Sequence, residues 1–298
     1  MRDRTTAEKR ALLMLLARLS SAVGKTAALH PGPIAEIRIR ARRPLTVTVN
    51  GREYATGAEA SDEDVEYTVR ALSGNSLYSH AETIREGYIC AEGGIRAGVC
   101  GRAITRDGVI DAVTGITSIN VRIPHRVHGA ADAVFDLLRE RRGGTGLLVW
   151  SKPGIGKTTV LRELIPLLSG GERAERCAVV DTRYELSAGL EEEPILADFL
   201  LGYPRGKGIE IAVRTLSPRY VVCDEISTDA DARAVEEAAS SGTFVVASCH
   251  AFSTADLASS PVMSRLFQKN VFTLTAGLLG RDENGPGYAL DVGGPEAA

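Results

Sequence analysis

The segment that most limits the fold of this chain is residues 147–159, LLVWSKPGIGKTT. Its first four residues are apolar and have the length of a buried strand, and a glycine-rich turn follows them. Lys157, Thr158 and Thr159 then open a stretch with the apolar spacing of a helix. This order of strand, loop and helix start is the one that a phosphate-binding loop requires. The segment therefore predicts an α/β fold that binds a nucleotide, rather than a glycine-rich turn that binds nothing.

The residue types in this loop match the chemistry of a triphosphate. Glycines let successive backbone N–H groups turn toward the phosphate oxygens, and the dipole of the following helix adds partial positive charge. We expect Lys157 to reach the β- and γ-phosphates of ATP and the Thr158 hydroxyl to ligate Mg²⁺. Ser151 departs from the motif G-x-x-x-x-G-K-[ST], which has glycine there. The predicted nucleotide-binding residues are Ser151, Lys152, Pro153, Gly154, Ile155, Gly156, Lys157, Thr158 and Thr159.

A second signal is the pair of carboxylates that follows the apolar residues 220–223, YVVC. Beside a phosphate-binding loop, a buried strand that ends in two acids is typical of a Walker B segment. Asp224 is expected in the shell of Mg²⁺, usually through water. Glu225 is expected to polarise the attacking water as a base. The predicted metal residues are therefore Thr158 and Asp224, and Glu225 is the predicted catalytic base.

Two other predicted strands end in polar residues, and ligands of parallel sheets bind at the C-terminal ends of the strands. Asp181 and Glu185 follow one such strand and would lie beside the γ-phosphate if that strand adjoins the strand of the loop. Ser248 or His250, at the end of another, would sense the γ-phosphate and relay its presence to a subunit interface. The alternative for both sets is an ordinary polar loop.

An arginine from a neighbouring subunit can accelerate nucleotide hydrolysis by about 10³–10⁵-fold. The sequence does not choose among the candidates for this role, each of which alone has the properties of a surface arginine. They are Arg122, Arg126, Arg183 and Arg214.

The chain is predicted to contain two domains, residues 1–128 and 129–298. The first is expected to be a smaller α+β domain, with an N-terminal helix that begins near Thr5 and a later helix capped by Ser61. Asn50-Gly51 predicts a tight hairpin turn. Strands are predicted over 36–40, 45–49, 88–90, 95–104, 109–113 and 118–123, with a turn at Gly93 and Gly94.

In the second predicted domain, strands alternate with helices from residue 147 onward. This alternation predicts a parallel sheet that is covered by helices on both faces. The strands are predicted over 147–150, 177–182, 219–223, 243–248 and 271–275, and the helices over about 157–168, 207–216, 229–241 and 255–268.

Composition narrows the class of protein. The formal net charge is −3, with 18 Lys+Arg against 14 Asp+Glu in residues 1–128, which does not indicate a strongly basic nucleic-acid-binding protein. The five cysteines are odd in number and show no C-x-x-C spacing, as expected for buried, reduced thiols in a cytosolic protein. The apolar runs are too short to span a bilayer, so we expect any membrane role to act through a partner.

Motifs along nearly the whole chain together resemble the stage III sporulation protein AA family of endospore-forming bacteria. The N-terminal motifs are more specific than the Walker elements. The resemblance is carried by EIRIR at 36–40 with the following RPL, GYICAEGGIRAGVCG at 87–101, SINVRIPH at 118–125, the phosphate-binding loop, VVDTRYE at 179–185, RTLSPRYVVCDEIS at 214–227 and ASCHA at 247–251.

The resemblance implies a RecA-like core, similar to type II secretion and type IV pilus ATPases. It implies a mother-cell cytoplasmic ATPase that powers or assembles the channel to the forespore, as a hexameric ring at the cytosolic face of a membrane channel complex. By carry-over, Asp181 to Glu185 match the acidic box and His250 the histidine box, so Lys157, Asp181, Glu185 and His250 join Glu225 as predicted catalytic residues. Lys152 departs from the family, which tends to have proline there.

Two other functions fit the same residues. A nucleotide-switched scaffold without motor activity would anchor a membrane complex, and a phosphate-release assay on the assembled protein separates it from a motor. An ATP-driven nucleic-acid motor would use the Arg-rich strand at 38–43. That strand has no interleaved aromatic residues and the aromatic content is 5%, so it is a poor stacking platform for bases.

Overall fold

A computed structural model gives the fold of the chain. It describes residues 16, 19–20, 23–25, 34–91, 95–123, 126–140, 144–190, 193–281 and 285–293. The chain forms two compact units, Met1–His125 and Arg126–Ala298. The predicted helix start near Thr5 and the predicted turn at Gly93 and Gly94 lie outside the described residues. The predicted domain boundary after residue 128 stays a prediction.

The first unit contains a six-stranded sheet whose neighbouring strands run antiparallel. The strand order is β3-β2-β1-β6-β5-β4. The strands are β1 (Ile34–Arg40), β2 (Arg43–Val49), β3 (Arg52–Ala60), β4 (Tyr88–Ala91), β5 (Ile95–Arg106) and β6 (Val109–Arg122), and the helices are α1 (Asp62–Leu72), a 3₁₀ turn (Tyr78–His80) and α2 (Ala81–Arg85).

Local sequence explains the main features of this unit. Ile37 and Ile39 are fully buried, while Glu36, Arg38 and Arg40, which alternate with them, lie on the other face, as predicted. Asn50 and Gly51 both have positive φ, which is the backbone of the predicted hairpin turn. Ser61 accepts the Asp64 N–H and Asp64 accepts the Ser61 N–H, so a capping box starts α1.

One strand of this unit differs from the prediction. Residues 109–122 form a single strand, β6, where two strands were predicted. Gly115 lies inside it with a φ of 53°, and the register of β5 against β6 shifts between Cys100 and Arg102. A glycine and a bulge let the paired strands change direction without ending the ladder.

The second unit contains a seven-stranded sheet in the order β13-β12-β7-β11-β10-β8-β9. Its strands are β7 (Gly146–Ser151), β8 (Cys177–Asp181), β9 (Ala197–Leu201), β10 (Tyr220–Cys223), β11 (Phe244–His250), β12 (Leu274–Arg281) and β13 (Tyr288–Gly293). Its helices are α3 (Asp132–Glu140), α4 (Lys157–Ser169), α5 (Arg205–Leu216), α6 (Asp229–Ser240), α7 (Thr254–Ser259) and α8 (Pro261–Gln268).

This sheet is mixed and largely parallel, which corrects the prediction of a parallel sheet. Among the described strands of the unit, β13 alone runs antiparallel, at one edge beside β12. Neither β13 nor β9, at the other edge, was predicted. The predicted helix over 255–268 is two helices, because Pro261 cannot continue the preceding one and Ser260 adopts an extended ψ of 120°.

The core of this unit explains why its central strands are continuously apolar. Leu147 and Val149 pack in one buried cluster, and Leu148 and Trp150 pack in another. Since successive strand residues face opposite sides, the sheet is covered on both faces. The parallel strands β7, β11, β10 and β8 therefore end at one common edge, where their polar C-terminal residues meet.

Candidate active site

The loop between β7 and α4 has the backbone of a phosphate-binding loop. The strand ends at Ser151 and the helix begins at Lys157. Gly154 has a φ of 78° and Gly156 a φ of 131°, values that favour glycine. A Cβ atom on Gly156 would also collide with the hydroxyl of Tyr288. The helix dipole and the first amides of α4 point to this loop, so an anion fits there.

The Lys157 side chain is buried and lies within hydrogen-bond distance of two groups of the same unit. Its Nζ donates to the carbonyl of Ser151 at 3.3 Å and to Nδ1 of His250 at 2.8 Å. Nδ1 therefore accepts, and the proton of the neutral imidazole lies on Nε2. Burial lowers the pKa of Lys157, an effect that the carboxylates of Asp224 and Glu225 oppose.

The two predicted Walker segments meet between Thr158 and Asp224. The Thr158 hydroxyl donates to Oδ2 of Asp224 at 2.8 Å, and Oδ1 of Asp224 accepts a hydrogen bond from Ser248. A hydroxyl and a carboxylate at this distance are oxygen donors of the kind that Mg²⁺ takes, with water completing its shell. The residues present therefore fit a magnesium ion.

Glu225 follows Asp224 in a strained backbone conformation. Its φ is 52°, in the left-handed region that non-glycine residues rarely adopt, and its N–H donates to Oγ of Ser248 at 3.1 Å. Oε2 accepts from Nη1 of Arg183 at 2.9 Å, and Oε1 lies 3.5 Å from Nε2 of His250. Lys157, His250, Glu225 and Arg183 thus form a continuous polar chain.

These groups line one cavity of about 180 Å³. Both acids that follow β10 line it together with residues of the loop, and its polar lining suits a phosphate rather than an apolar ligand. The lining residues are Gly154, Gly156, Lys157, Thr158, Arg183, Glu185, Asp224, Glu225 and His250.

Asp181 is not among the lining residues of this cavity. Its predicted position beside the γ-phosphate required β8 to adjoin β7. That condition is wrong, because β11 and β10 lie between β8 and β7. Its buried carboxylate accepts hydrogen bonds from the N–H of Glu185 and from the N–H and hydroxyl of Ser187. Asp181 therefore shapes the loop that carries Glu185 to the cavity, and the predicted position of Glu185 beside a γ-phosphate stays a prediction.

The four candidate arginines have different surroundings. Arg126 is buried, with 8% of its side chain exposed, and binds Glu163 at 2.8 Å and Glu193 at 2.6 Å inside its own unit. Arg183 binds Glu225 across the cavity. Arg122 and Arg214 are more than 60% exposed, and each is near an acid of its own unit.

Two residues that contact the site were not predicted. Arg162, inside α4, is half-buried and donates its Nε to the carbonyl of Glu185 at 2.8 Å. Tyr288, in β13, is buried against Gly156, and its hydroxyl has no hydrogen-bond partner in the described part of the chain. The alternation of the larger apolar residues Tyr288, Leu290 and Val292 with Ala289 and Asp291 was the available signal for β13.

Charges outside this site are mostly balanced locally. In the Arg-rich strand, Arg38 lies 3.5 Å from Glu36, and Arg40 lies 3.4 Å from Glu53. These ion pairs reduce the positive potential that a nucleic acid would meet on this strand. In the part of the chain that the structure describes, no helix has both the length and the apolar composition needed to cross a membrane.

Comparison with known sequences covers most of the chain. A model of the family described as "Sporulation stage III, protein AA" matches residues 6–292. The stage III sporulation protein AA of Bacillus subtilis (strain 168) is 31% identical over 247 residues, which are 80% of this chain and 80% of the relative.

Two solved structures share the fold at low sequence identity. The ATPase DotB of Legionella pneumophila is 16% identical with a TM-score of 0.58, and the match covers 93% of this chain and 78% of DotB. The pilus retraction motor PilT, solved with bound ADP, is 15% identical with a TM-score of 0.58, and the match covers 91% of this chain and 81% of PilT. At these identities the likeness is one of fold.

Proposed function

Since this chain belongs to the stage III sporulation protein AA family, we propose that it is a magnesium-dependent ATPase that works during sporulation. The single observation that carries this proposal is the hydrogen bond of 2.8 Å between Thr158 and Asp224. It joins the end of the phosphate-binding loop to the acids after β10, although 66 residues separate them in the chain. That junction is where a Mg²⁺-nucleotide would bind.

The residues of the site have complementary roles in hydrolysis. The loop amides and Lys157 bind and orient the phosphates, while Glu225 accepts a proton from the attacking water. Glu185 and His250 line the same cavity and are proposed to orient water and the γ-phosphate. Thr158 and Asp224 would hold Mg²⁺, which neutralises charge on the phosphate oxygens. Asp181 acts through the loop that presents Glu185.

The setting of this activity is also a proposal. The described helices of unit Arg126–Ala298 surround a sheet of the kind that a RecA-like core has, and the proposed domains are residues 1–128 and 129–298. We propose a homo-oligomeric ring, a hexamer, in the mother-cell cytoplasm at the face of a membrane channel complex. The exposed arginines Arg122 and Arg214 are the candidates for contact with a neighbour's nucleotide.

The test is the rate of ATP hydrolysis measured against protein concentration. A steep rise of the rate per subunit is expected if assembly completes the site. Lys157→Ala is expected to abolish nucleotide binding, because the buried ammonium is lost from the phosphate position. Glu225→Gln is expected to keep binding and to lower turnover by about 10²–10⁴-fold.

The matched control is Glu237→Gln, which makes the same change at an exposed position of α6. It is expected to leave the rate unchanged. A Glu225→Gln variant that hydrolyses ATP at the unmutated rate would show that another group is the base. A wild-type chain with no turnover at any concentration would overturn the ATPase proposal.

The nucleotide-switched scaffold remains the second candidate, because one observation favours it. Each carboxylate oxygen of Glu225 already lies near a positive or hydrogen-donating group, Arg183 for one and His250 for the other. A protein that stays in this arrangement would bind ATP and change its assembly without hydrolysing it. Sedimentation with ATP and with ADP, together with phosphate release, separates the two functions.

A further inference from the structure

Ser248 occupies a central place between the two Walker segments. It lies in β11, which pairs with β7 on one side and with β10 on the other. The residue is fully buried. Its backbone carbonyl accepts the N–H of Ile226 at 2.8 Å, so the strand also fixes the chain just after Glu225.

The Ser248 hydroxyl contacts both acids at once. It donates its hydrogen to Oδ1 of Asp224, and it accepts the N–H of Glu225 at 3.1 Å. A serine hydroxyl has one hydrogen to donate. Since Asp224 takes that hydrogen, none is left for a phosphate oxygen, and this arrangement argues against the predicted role of Ser248 as a γ-phosphate sensor.

We propose that Ser248 is a positioning residue that holds the metal-binding carboxylate and the catalytic base in one fixed geometry; this inference rests on the proposed ATPase function. The hydroxyl orients Asp224 so that its other oxygen faces Thr158. The same hydroxyl accepts a hydrogen bond from the N–H of Glu225. This bond stabilises the backbone of Glu225, whose φ of 52° would otherwise relax to a commoner conformation. Ser248 acts on hydrolysis only through these two residues.

The test compares Ser248→Ala with the wild-type full-length chain. Misplacing a catalytic group by about 1 Å costs about 10² in rate, so kcat is expected to fall by about 10²-fold with little change in KM for ATP. The Mg²⁺ concentration that gives half of the maximal rate is expected to rise, because Asp224 loses the donor that orients it. Ser248→Thr, which keeps the hydroxyl, is expected to recover most of both properties.

The matched control is Ser169→Ala at the end of α4. Ser169 is also fully buried, and its hydroxyl donates to the carbonyl of Ile165, away from the cavity. This variant is expected to match the wild type in kcat and in Mg²⁺ dependence, while its Tm reports the loss of one buried hydroxyl. A purely structural role for Ser248 would give both variants the same kinetics.

A second measurement separates this inference from the ATPase proposal. Calorimetry with a non-hydrolysable ATP analogue gives the affinity gained on adding Mg²⁺, which requires no turnover. Ser248→Ala is expected to lose most of that gain and to keep the Mg²⁺-free affinity. If Ser248→Ala keeps the Mg²⁺-dependent gain in affinity, the inference is overturned. It is also overturned if the variant, in the absence of Mg²⁺, loses affinity for the triphosphate but not for ADP, because that result would identify a phosphate sensor. Absence of turnover in the wild type would overturn only the ATPase proposal.

Discussion

The Nζ atom of Lys157 lies 2.8 Å from Nδ1 of His250. His250 ends β11, the strand that lies between β7 and β10. The lysine that would bind the phosphates thus donates to a neutral imidazole, whose other nitrogen lies 3.5 Å from Glu225. A phosphate that attracts Lys157 would therefore also change what His250 and Glu225 contact. The proposed nucleotide and the proposed base Glu225 would thus be linked through two side chains, Lys157 and His250.

Replacement of His250 is expected to separate binding from turnover. His250→Ala removes the group between Lys157 and Glu225 but leaves the loop amides, so nucleotide affinity should change little. Turnover is expected to fall by about 10²-fold, the lower range for loss of a positioned proton-transfer group. His80→Ala, at a position outside the cavity, is the control. Equal losses of affinity and turnover in His250→Ala would show that the imidazole contributes to nucleotide binding and not specifically to turnover.

The lowered pKa of Lys157 predicts proton uptake on nucleotide binding. Burial lowers its pKa from the ordinary value of 10.5, and phosphate oxygens would raise it again. At a pH between the pKa of the free state and that of the bound state, the bound state holds more protons, so nucleotide affinity falls as the pH rises between them. Calorimetry in buffers of different ionisation enthalpy measures the uptake. Lys157→Arg, whose guanidinium stays charged, is expected to show none.

Gly156 is expected to tolerate no side chain. Gly156→Ala combines a φ of 131° with a collision against Tyr288, so we expect a loss of nucleotide binding and a destabilisation of several kcal/mol. The control is Gly242→Ala, which has a φ of 85° but open space around it. Its cost is expected to be about 1–2 kcal/mol, from the backbone alone. Urea unfolding compares the two, and equal costs would show that Tyr288 moves away.

The cysteines are expected to differ sharply in reactivity. Cys100 is exposed, whereas burial raises the pKa of Cys177, Cys223 and Cys249 to about 12, and Cys90 is also buried. Because the thiolate is the nucleophile, an alkylating reagent at about pH 8 should label one thiol in the native protein and five in urea. Cys100→Ser should abolish native labelling. Labelling of Cys249 in that variant would show that the end of β11 opens.

Arg126 is expected to stabilise the fold rather than to act on a neighbour's nucleotide. Arg126→Ala leaves Glu163, which is buried, without its closest cation, and breaking such a pair costs about 3–5 kcal/mol. Arg214→Ala, at an exposed position, is expected to cost less than about 1 kcal/mol. Thermal unfolding distinguishes them. A stable Arg126→Ala variant with reduced turnover only in the assembled protein would reverse this assignment.

Sequence reasoning located the strand ends because their signals are local. The apolar run before Ser151 and the run before Asp224 each identify a strand and the residue that follows it. The order of the strands is not local, since it depends on which surfaces pack together, and so the neighbour of β7 was not predicted. Glu185 reaches the cavity through the hydrogen bonds of a loop, which spacing along the chain does not reveal.

Other misses have equally definite physical causes. Asp198 interrupts the apolar residues of β9, so this edge strand lacks the continuous apolar run that marks the central strands. The apolar spacing over 255–268 continues across Pro261, which hides the break between α7 and α8. The sequence predicts Ser248 as a sensor or as part of an ordinary polar loop, because a hydroxyl at a strand end does not show which partner takes its hydrogen.

The contact between Tyr288 and Gly156 means that the phosphate-binding loop depends on a strand formed more than a hundred residues later in synthesis. A nascent chain that has emerged only as far as Arg281 contains both predicted Walker segments, but it lacks the Tyr288 ring that packs against the loop. Nucleotide would then bind those chains in which translation has passed β13. The loop after β7 would thus become competent to bind only once this late strand of the same sheet has been made.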